Sequence, residues 1–170
     1  IFDEIVSFRA GPSGTQGVYG ITPDLTCLAK VVAGGTPGGL FGGRADIMSL
    51  YDPTTGTPAI PQSGTYNGNP LVASAGLATL QGMTPAAYSH IENLTHRISD
   101  GVRAAFADSD ASGCVVNAGS LFRIYFLDKP PTNYREAAED SKARHRWLYF
   151  YLLNNGILSR QGGCVPVPLT

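Results

Sequence analysis

Glycine and proline do most to limit what this chain can fold into. Its 170 residues include 21 glycines and 12 prolines. Residues 10–20 are small, polar and glycine-rich, so a loop is expected there. Gly34, Gly35, Pro37, Gly38 and Gly39 then break any regular element that tries to cross them. Residues 53–63 form a further loop, too long to be idle in a compact domain. Regular elements must therefore be short in the first half. A hydrophobic content of 43% nevertheless excludes a disordered chain. A length of 170 residues suits one domain or parts of two, and can bury about two thirds of the unfolded surface.

Charge and cysteine usage remove several functional classes. Twelve basic and thirteen acidic residues leave a net charge of −1 with no basic run, so no nucleic-acid partner is expected. No stretch approaches the roughly 18 apolar residues of a membrane span, and no membrane association is expected. Cys27, Cys114 and Cys164 are odd in number, widely spaced and without a CxxC pair. They read as reduced, structural and intracellular, which makes a cytoplasmic location the expectation. The chain opens on Ile1-Phe2-Asp3-Glu4 and closes on an apolar, proline-rich run. Neither end has the polar, fraying character usual for termini, so the chain reads as an excerpt of something longer.

Between the breakers, periodicity assigns the elements. Ile1 and Phe2 run into two carboxylates, like a buried strand reaching the carboxyl edge of a sheet. Leu40-Phe41 suits a short strand, and residues 45–51 a short helix stopped by Asp52-Pro53. Asn69-Pro70 opens a helix rich in small residues. Thr84-Pro85 opens another, with Ile91, Leu94, Ile98 and Val102 on one stripe. Residues 121–126 are aromatic and β-branched enough for a strand. Residues 134–155 suit one helix closed by Asn155-Gly156, and Ile157-Leu158-Ser159 a last short strand. This order indicates an α/β class, with a seam near residues 82–84.

Two residues carry the most chemistry. Lysine is scarce, and Lys30 is set in Leu28-Ala29-Lys30-Val31-Val32 before Gly34-Gly35. An ammonium among apolar groups is expected to lose its proton more readily, which makes the amine a nucleophile toward carbonyls. The competing reading is a lysine that snorkels from the end of an element. Asp3, at the end of a strand, can hold a cation such as a protonated ring nitrogen, or cap the following turn. An aspartate and a lysine of this kind are what pyridoxal phosphate enzymes need together: the lysine as a Schiff base, the aspartate to keep the ring nitrogen protonated.

Other signals are weaker. The glycine run at 34–39 fits neither the dinucleotide fingerprint nor the Walker loop, which disfavours a nucleotide-binding domain. His90, His96 and His145 show no metal spacing and read as solvated helix histidines, so no metal is expected. Arg9 and Arg44 are each open between meeting a substrate carboxylate and a structural ion pair.

Several runs, in order, resemble a known family. They are Phe2-Asp3-Glu4-Ile5-Val6-Ser7-Phe8-Arg9, Gly20-Ile21-Thr22-Pro23-Asp24-Leu25, Lys30 before its Gly-Gly turn, Phe41-Gly42-Gly43-Arg44-Ala45-Asp46-Ile47-Met48 and Gly64-Thr65-Tyr66-Asn67-Gly68-Asn69-Pro70-Leu71. Together they resemble class III pyridoxal phosphate aminotransferases, and within them the glutamate-1-semialdehyde 2,1-aminomutase group and its transaminase relatives. The resemblance is dense to about residue 80 and continues, thinner, to Thr170. Two departures, a missing glycine before Phe8-Arg9 and an altered glycine turn after Lys30, bear on the aminomutase assignment more than on the family.

The resemblance implies a fold-type I α/β transferase. Residues 1–82 would be the C-terminal part of the large cofactor-binding domain, and 83–170 a truncated but mostly present small domain. It implies pyridoxal 5'-phosphate as cofactor, Lys30 as catalytic Schiff-base lysine and Asp3 as partner of the ring nitrogen. Thr65 matches a threonine that holds the cofactor phosphate across a homodimer interface, with Gly64 allowing close backbone approach. The implied substrate is a small amino acid or amino aldehyde, with a β- or ω-amino acid transaminase as alternative. A partial, non-catalytic gene product is the rival from another class, and the isolated 170 residues are expected not to transaminate.

Overall fold

A computed structural model describes residues 1–168. The chain divides into two compact units, Ile1–Ala86 and Ala87–Thr170.

The first unit is built on a three-stranded sheet in the order β1-β2-β3. Strand β1 (Phe2–Asp3) runs parallel to β2 (Leu25–Ala29), with Phe2 opposite Thr26 and Asp3 opposite Cys27. Strand β3 (Gly39–Gly43) returns antiparallel, pairing Leu25 with Gly43 and Ala29 with Gly39. Between β1 and β2 lie a 3-10 turn (Ser7–Ala10) and helix α1 (Gly14–Tyr19). That helix occupies the stretch expected to be loop. Two glycines in six residues are poor helix formers, but α1 receives a cap from outside itself: the Glu4 carboxylate accepts the N–H groups of Thr15 and Gln16. A contact distant in sequence thus decides the element.

After β3 come helix α2 (Ala45–Met48), continued by a 3-10 turn over Ser49–Tyr51, and then helix α3 (Pro70–Gly82). Asn69 starts α3 as an N-cap, its side chain accepting from Leu71 N at 2.9 Å and Val72 N at 3.3 Å, with Pro70 at the first helical position. Helix α3 packs on the 3-10 turn Lys30–Ala33. Two glycines make this contact possible. A Cβ on Gly34 would overlap the Ala75 carbonyl, and one on Gly76 would overlap the Val32 carbonyl. Val32 and Ala33 are buried beneath this seam.

The second unit joins helix α4 (Pro85–Ala107) to an antiparallel sheet in the order β4-β5-β6. Ile91, Thr95 and Ser99 are its buried positions, and Leu94, Ile98 and Val102 flank them half-buried, so the stripe read from the sequence is the packed face. Strand β4 (Cys114–Ala118) pairs with β5 (Leu121–Tyr125), and β5 with β6 (Gly162–Cys164). Val115, Ile124 and Val165 are buried with Ile91, while Phe106 meets Phe126 edge to face at 5.8 Å.

Two expectations are corrected in this unit. The helix expected over 134–155 is divided into α5 (Tyr134–Ala138) and α6 (Lys142–Asn154). The break serves Asp140, whose carboxylate accepts Phe126 N at 2.9 Å and meets His145 Nε2 at 2.5 Å, while Ser141 caps α6 through Arg144 N. His145 is therefore a buried, paired residue, 5% exposed, and not a solvated one. The strand expected at residues 157–159 is absent; the pairing segment is Gly162–Cys164. A side chain on Gly162 would overlap the Phe122 carbonyl, so β6 needs glycine where it crosses β5.

Candidate active site

Asp3 is the last residue of β1, and Lys30 is the first residue after β2. Because β1 and β2 are parallel, both lie at the same carboxyl edge of the sheet, where open α/β sheets place their ligands. Asp3 stands opposite Cys27, three positions before Lys30, so the two are separated by about 10 Å along the strand direction.

Lys30 has φ 55, and is the only non-glycine with positive φ among the described residues. Left-handed backbone costs a side-chain-bearing residue roughly 1 kcal/mol or more and persists only where the surroundings impose it. Here the turn is held by the glycine seam against α3. The apolar burial expected of Lys30 is not found: the residue is exposed. The strand ends at Ala29 and the chain reverses its twist at Lys30, which takes the side chain out of the alternation that buries its neighbours.

Asp3 is exposed, with Oδ1 accepting Ile5 N–H at 3.0 Å. This is the turn-capping contact considered from the sequence, and a carboxylate has a second oxygen to offer. Its neighbour Glu4 carries a feature the sequence reading passed over. Glu4 is wholly buried, and its carboxylate accepts from Ser7 Oγ (2.6 Å), Thr15 Oγ1 (2.6 Å), Thr15 N (3.1 Å) and Gln16 N (2.7 Å). Burial pushes its pKa up, but these hydrogen bonds outweigh burial and hold it below the usual glutamate value. The available signal was a glutamate followed directly by the apolar Ile5 and Val6.

Gly64 and Thr65 are exposed in the turn before α3. Among the described residues no hydrogen bond or ion pair joins either to Asp3 or Lys30. A cleft of about 840 Å³ opens between β2, β3 and α3, lined by Cys27, Ala29, Phe41, Tyr66, Asn67 and Val72 among others. In the second unit a groove of about 1010 Å³ runs between α6 and β6 past Lys142, Arg146 and Arg160. Neither is lined by a residue singled out for the site. Arg44 is a structural ion-pair residue, bridging Asp24 at 3.0 Å and Asp46 at 2.8 Å. Among the described residues no three His, Cys, Asp or Glu side chains gather as metal ligands. Among the described residues no helix is long and apolar enough to cross a membrane.

The family model for aminotransferase class-III matches residues 1–165. The chain belongs to this family. Glutamate-1-semialdehyde 2,1-aminomutase 2 of Exiguobacterium sibiricum is 40% identical over 158 residues, covering 92% of this chain and 36% of that protein. An omega-transaminase from Sphaerobacter thermophilus superposes with a TM-score of 0.92 at 35% identity, over 99% of this chain and 39% of its own. A transaminase with PLP bound gives a TM-score of 0.86 at 37% identity, over 99% of this chain and 39% of its own. The chain thus spans under two fifths of the length of these relatives. Its fold is that part of the fold-type I pyridoxal phosphate-dependent transferases.

Proposed function

We propose that the protein carrying this chain is a pyridoxal phosphate-dependent aminotransferase or aminomutase of the glutamate-1-semialdehyde 2,1-aminomutase type. The observation that carries the reading is the pairing of an aspartate and a backbone-strained lysine at one carboxyl edge of adjacent parallel strands. An amine and a carboxylate so arranged suit an aldehyde and a ring nitrogen on one flat molecule. Bound pyridoxal phosphate supplies the aldehyde that a lysine amine can bond and a ring that accepts electrons.

Lys30 Nζ is the amine in this reading. With an amino substrate bound, Nζ would act as base toward the proton on the substrate carbon and as acid in delivering it to the cofactor carbon. Asp3 holds a proton on the ring nitrogen through its carboxylate. Thr65, with Gly64 before it, binds the cofactor phosphate of a partner subunit in a homodimer. The substrate is a small amino acid or amino aldehyde, and unpaired Cys27, Cys114 and Cys164 support work in the cytoplasm.

The test is borohydride reduction of the full-length protein with pyridoxal phosphate, followed by peptide mass analysis. The cofactor mass should be fixed on Lys30 and lost in Lys30→Ala; fixation elsewhere would sink the reading. An ω-amino acid transaminase is the second reading, supported by the TM-score of 0.92 to the Sphaerobacter enzyme. Turnover of glutamate-1-semialdehyde without a second substrate favours the mutase, and a requirement for a separate 2-oxo acid favours the transaminase.

A further inference from the structure

We propose that Glu4 is the positioning residue for Asp3: its buried carboxylate locks the end of β1 so that the Asp3 carboxylate is aimed before any cofactor arrives. The inference rests on the reading of Asp3 as the partner of the ring nitrogen. Asp3 itself is exposed and has one fixed contact, the Ile5 N–H on Oδ1 at 3.0 Å. Its aim is therefore only as definite as the placement of Ile5. That placement depends on Glu4, which lies between them.

Glu4 is held on every side. Its N–H donates to Cys27 O at 2.9 Å, carrying the parallel pairing with β2 one residue beyond Asp3. Its carbonyl accepts Phe8 N at 3.0 Å, which sets the 3-10 turn that follows. Its side chain takes four donors from Ser7, Thr15 and Gln16, and so ties α1 to the end of β1. Thr26 Oγ1 donates to Gln16 Oε1 at 2.9 Å, which returns the tie to β2 beside Cys27. Gly14, at φ 70, makes room for this: a Cβ there would come within 2.8 Å of Glu4 Oε1 and 2.9 Å of the Phe8 ring. The network costs the fold a buried charge, and a purely structural plug would not need one. Hydrogen bonds to a charged acceptor are shorter and stronger than neutral ones. They suit a residue that must hold a neighbouring functional group to a few tenths of an ångström.

The experiment is a double-mutant cycle on the full-length protein, reading the dissociation constant of pyridoxal phosphate by equilibrium dialysis. Glu4→Gln replaces one acceptor oxygen by an amide that opposes the N–H donors, and should weaken the cofactor about tenfold, as loss of a supporting residue behind a ligand does elsewhere. If Glu4 acts through Asp3, the same change in an Asp3→Asn background should add almost nothing. Thr15→Val removes one 2.6 Å hydrogen bond and leaves the charge in place, so it runs the same cycle should Glu4→Gln fold poorly. Affinity unchanged in Glu4→Gln and in Thr15→Val, or losses that simply add to that of Asp3→Asn, would overturn the proposal, since a merely structural role predicts additivity. Unchanged affinity in both Asp3→Asn and Lys30→Ala would instead bring down the reading of the site, and this inference with it.

Discussion

Replacing Gly76 by alanine tests the seam that holds the Lys30 turn. In an ordinary helix interior the change would stabilise, by about 1 kcal/mol from propensity alone. Gly76 is buried, and the new Cβ would overlap the carbonyl oxygen of Val32, with Ala33 Cα 3.7 Å away. The obstacle is backbone and cannot rotate aside, so α3 or the Lys30 turn must retreat by about 1 Å to regain contact distance. Overpacking of this kind costs about 1–3 kcal/mol, and the backbone obstacle puts it at the upper end. The net effect should be a loss of about 1–2 kcal/mol after the propensity gain is subtracted. Gly101 supplies the contrast: it lies inside α4, is exposed, and a Cβ there meets nothing within 4 Å. Gly101→Ala should therefore stabilise by about 1 kcal/mol. Urea unfolding of the full-length variants, followed by circular dichroism, reads both. Opposite shifts in midpoint are expected, with slower borohydride fixation of cofactor on Lys30 in Gly76→Ala. A Gly76→Ala protein as stable as wild type would refute the account of the seam.

Three further outcomes follow from the same structure. Asn69→Ala removes both N-cap hydrogen bonds of α3 and should cost about 1 kcal/mol in urea unfolding, while Asn69→Asp should cost little. Glu4 has a folded-state pKa below its unfolded value, so its contribution is complete above the ordinary glutamate value of about 4.3 and is lost as pH falls through the lower folded value. The urea midpoint of the wild type should drop in that acid window more than that of Glu4→Gln, and parallel curves would contradict the assignment. Asp140→Ala strips a partner from buried His145 and from Phe126 N and should cost about 3 kcal/mol, measured as a fall in thermal midpoint.

How much of this was legible beforehand differs from element to element. The Ile91, Leu94, Ile98 and Val102 stripe found α4 because 3.6-residue periodicity is written into one continuous segment. Asn69-Pro70 found the start of α3 for an equally local reason: cap and first turn are adjacent in sequence. Helix α1 could not be found that way, since its cap is supplied by Glu4 from ten residues upstream. The break at Asp140 was hidden in a segment of good helix formers, because what interrupts it is a carboxylate bonding to Phe126 N, fourteen residues back. The environment of Lys30 was misjudged for a related reason. Apolar neighbours in sequence suggest burial, but a reversal of backbone twist at one residue sends its side chain elsewhere.

The amino-acid sequence by itself determined the family, through several ordered motifs, and singled out Asp3 and Lys30 as the candidate pair, because residue type and order are chemical facts that need no geometry. Only the tertiary structure decided that Asp3 and Lys30 share one carboxyl edge, that glycines at 34 and 76 let a helix press the Lys30 turn into left-handed backbone, and that Glu4 is a buried keystone beside Asp3. Each of these is a contact between segments far apart in the chain. Such contacts depend on which backbones can approach one another, and local patterns of polarity carry no record of that approach.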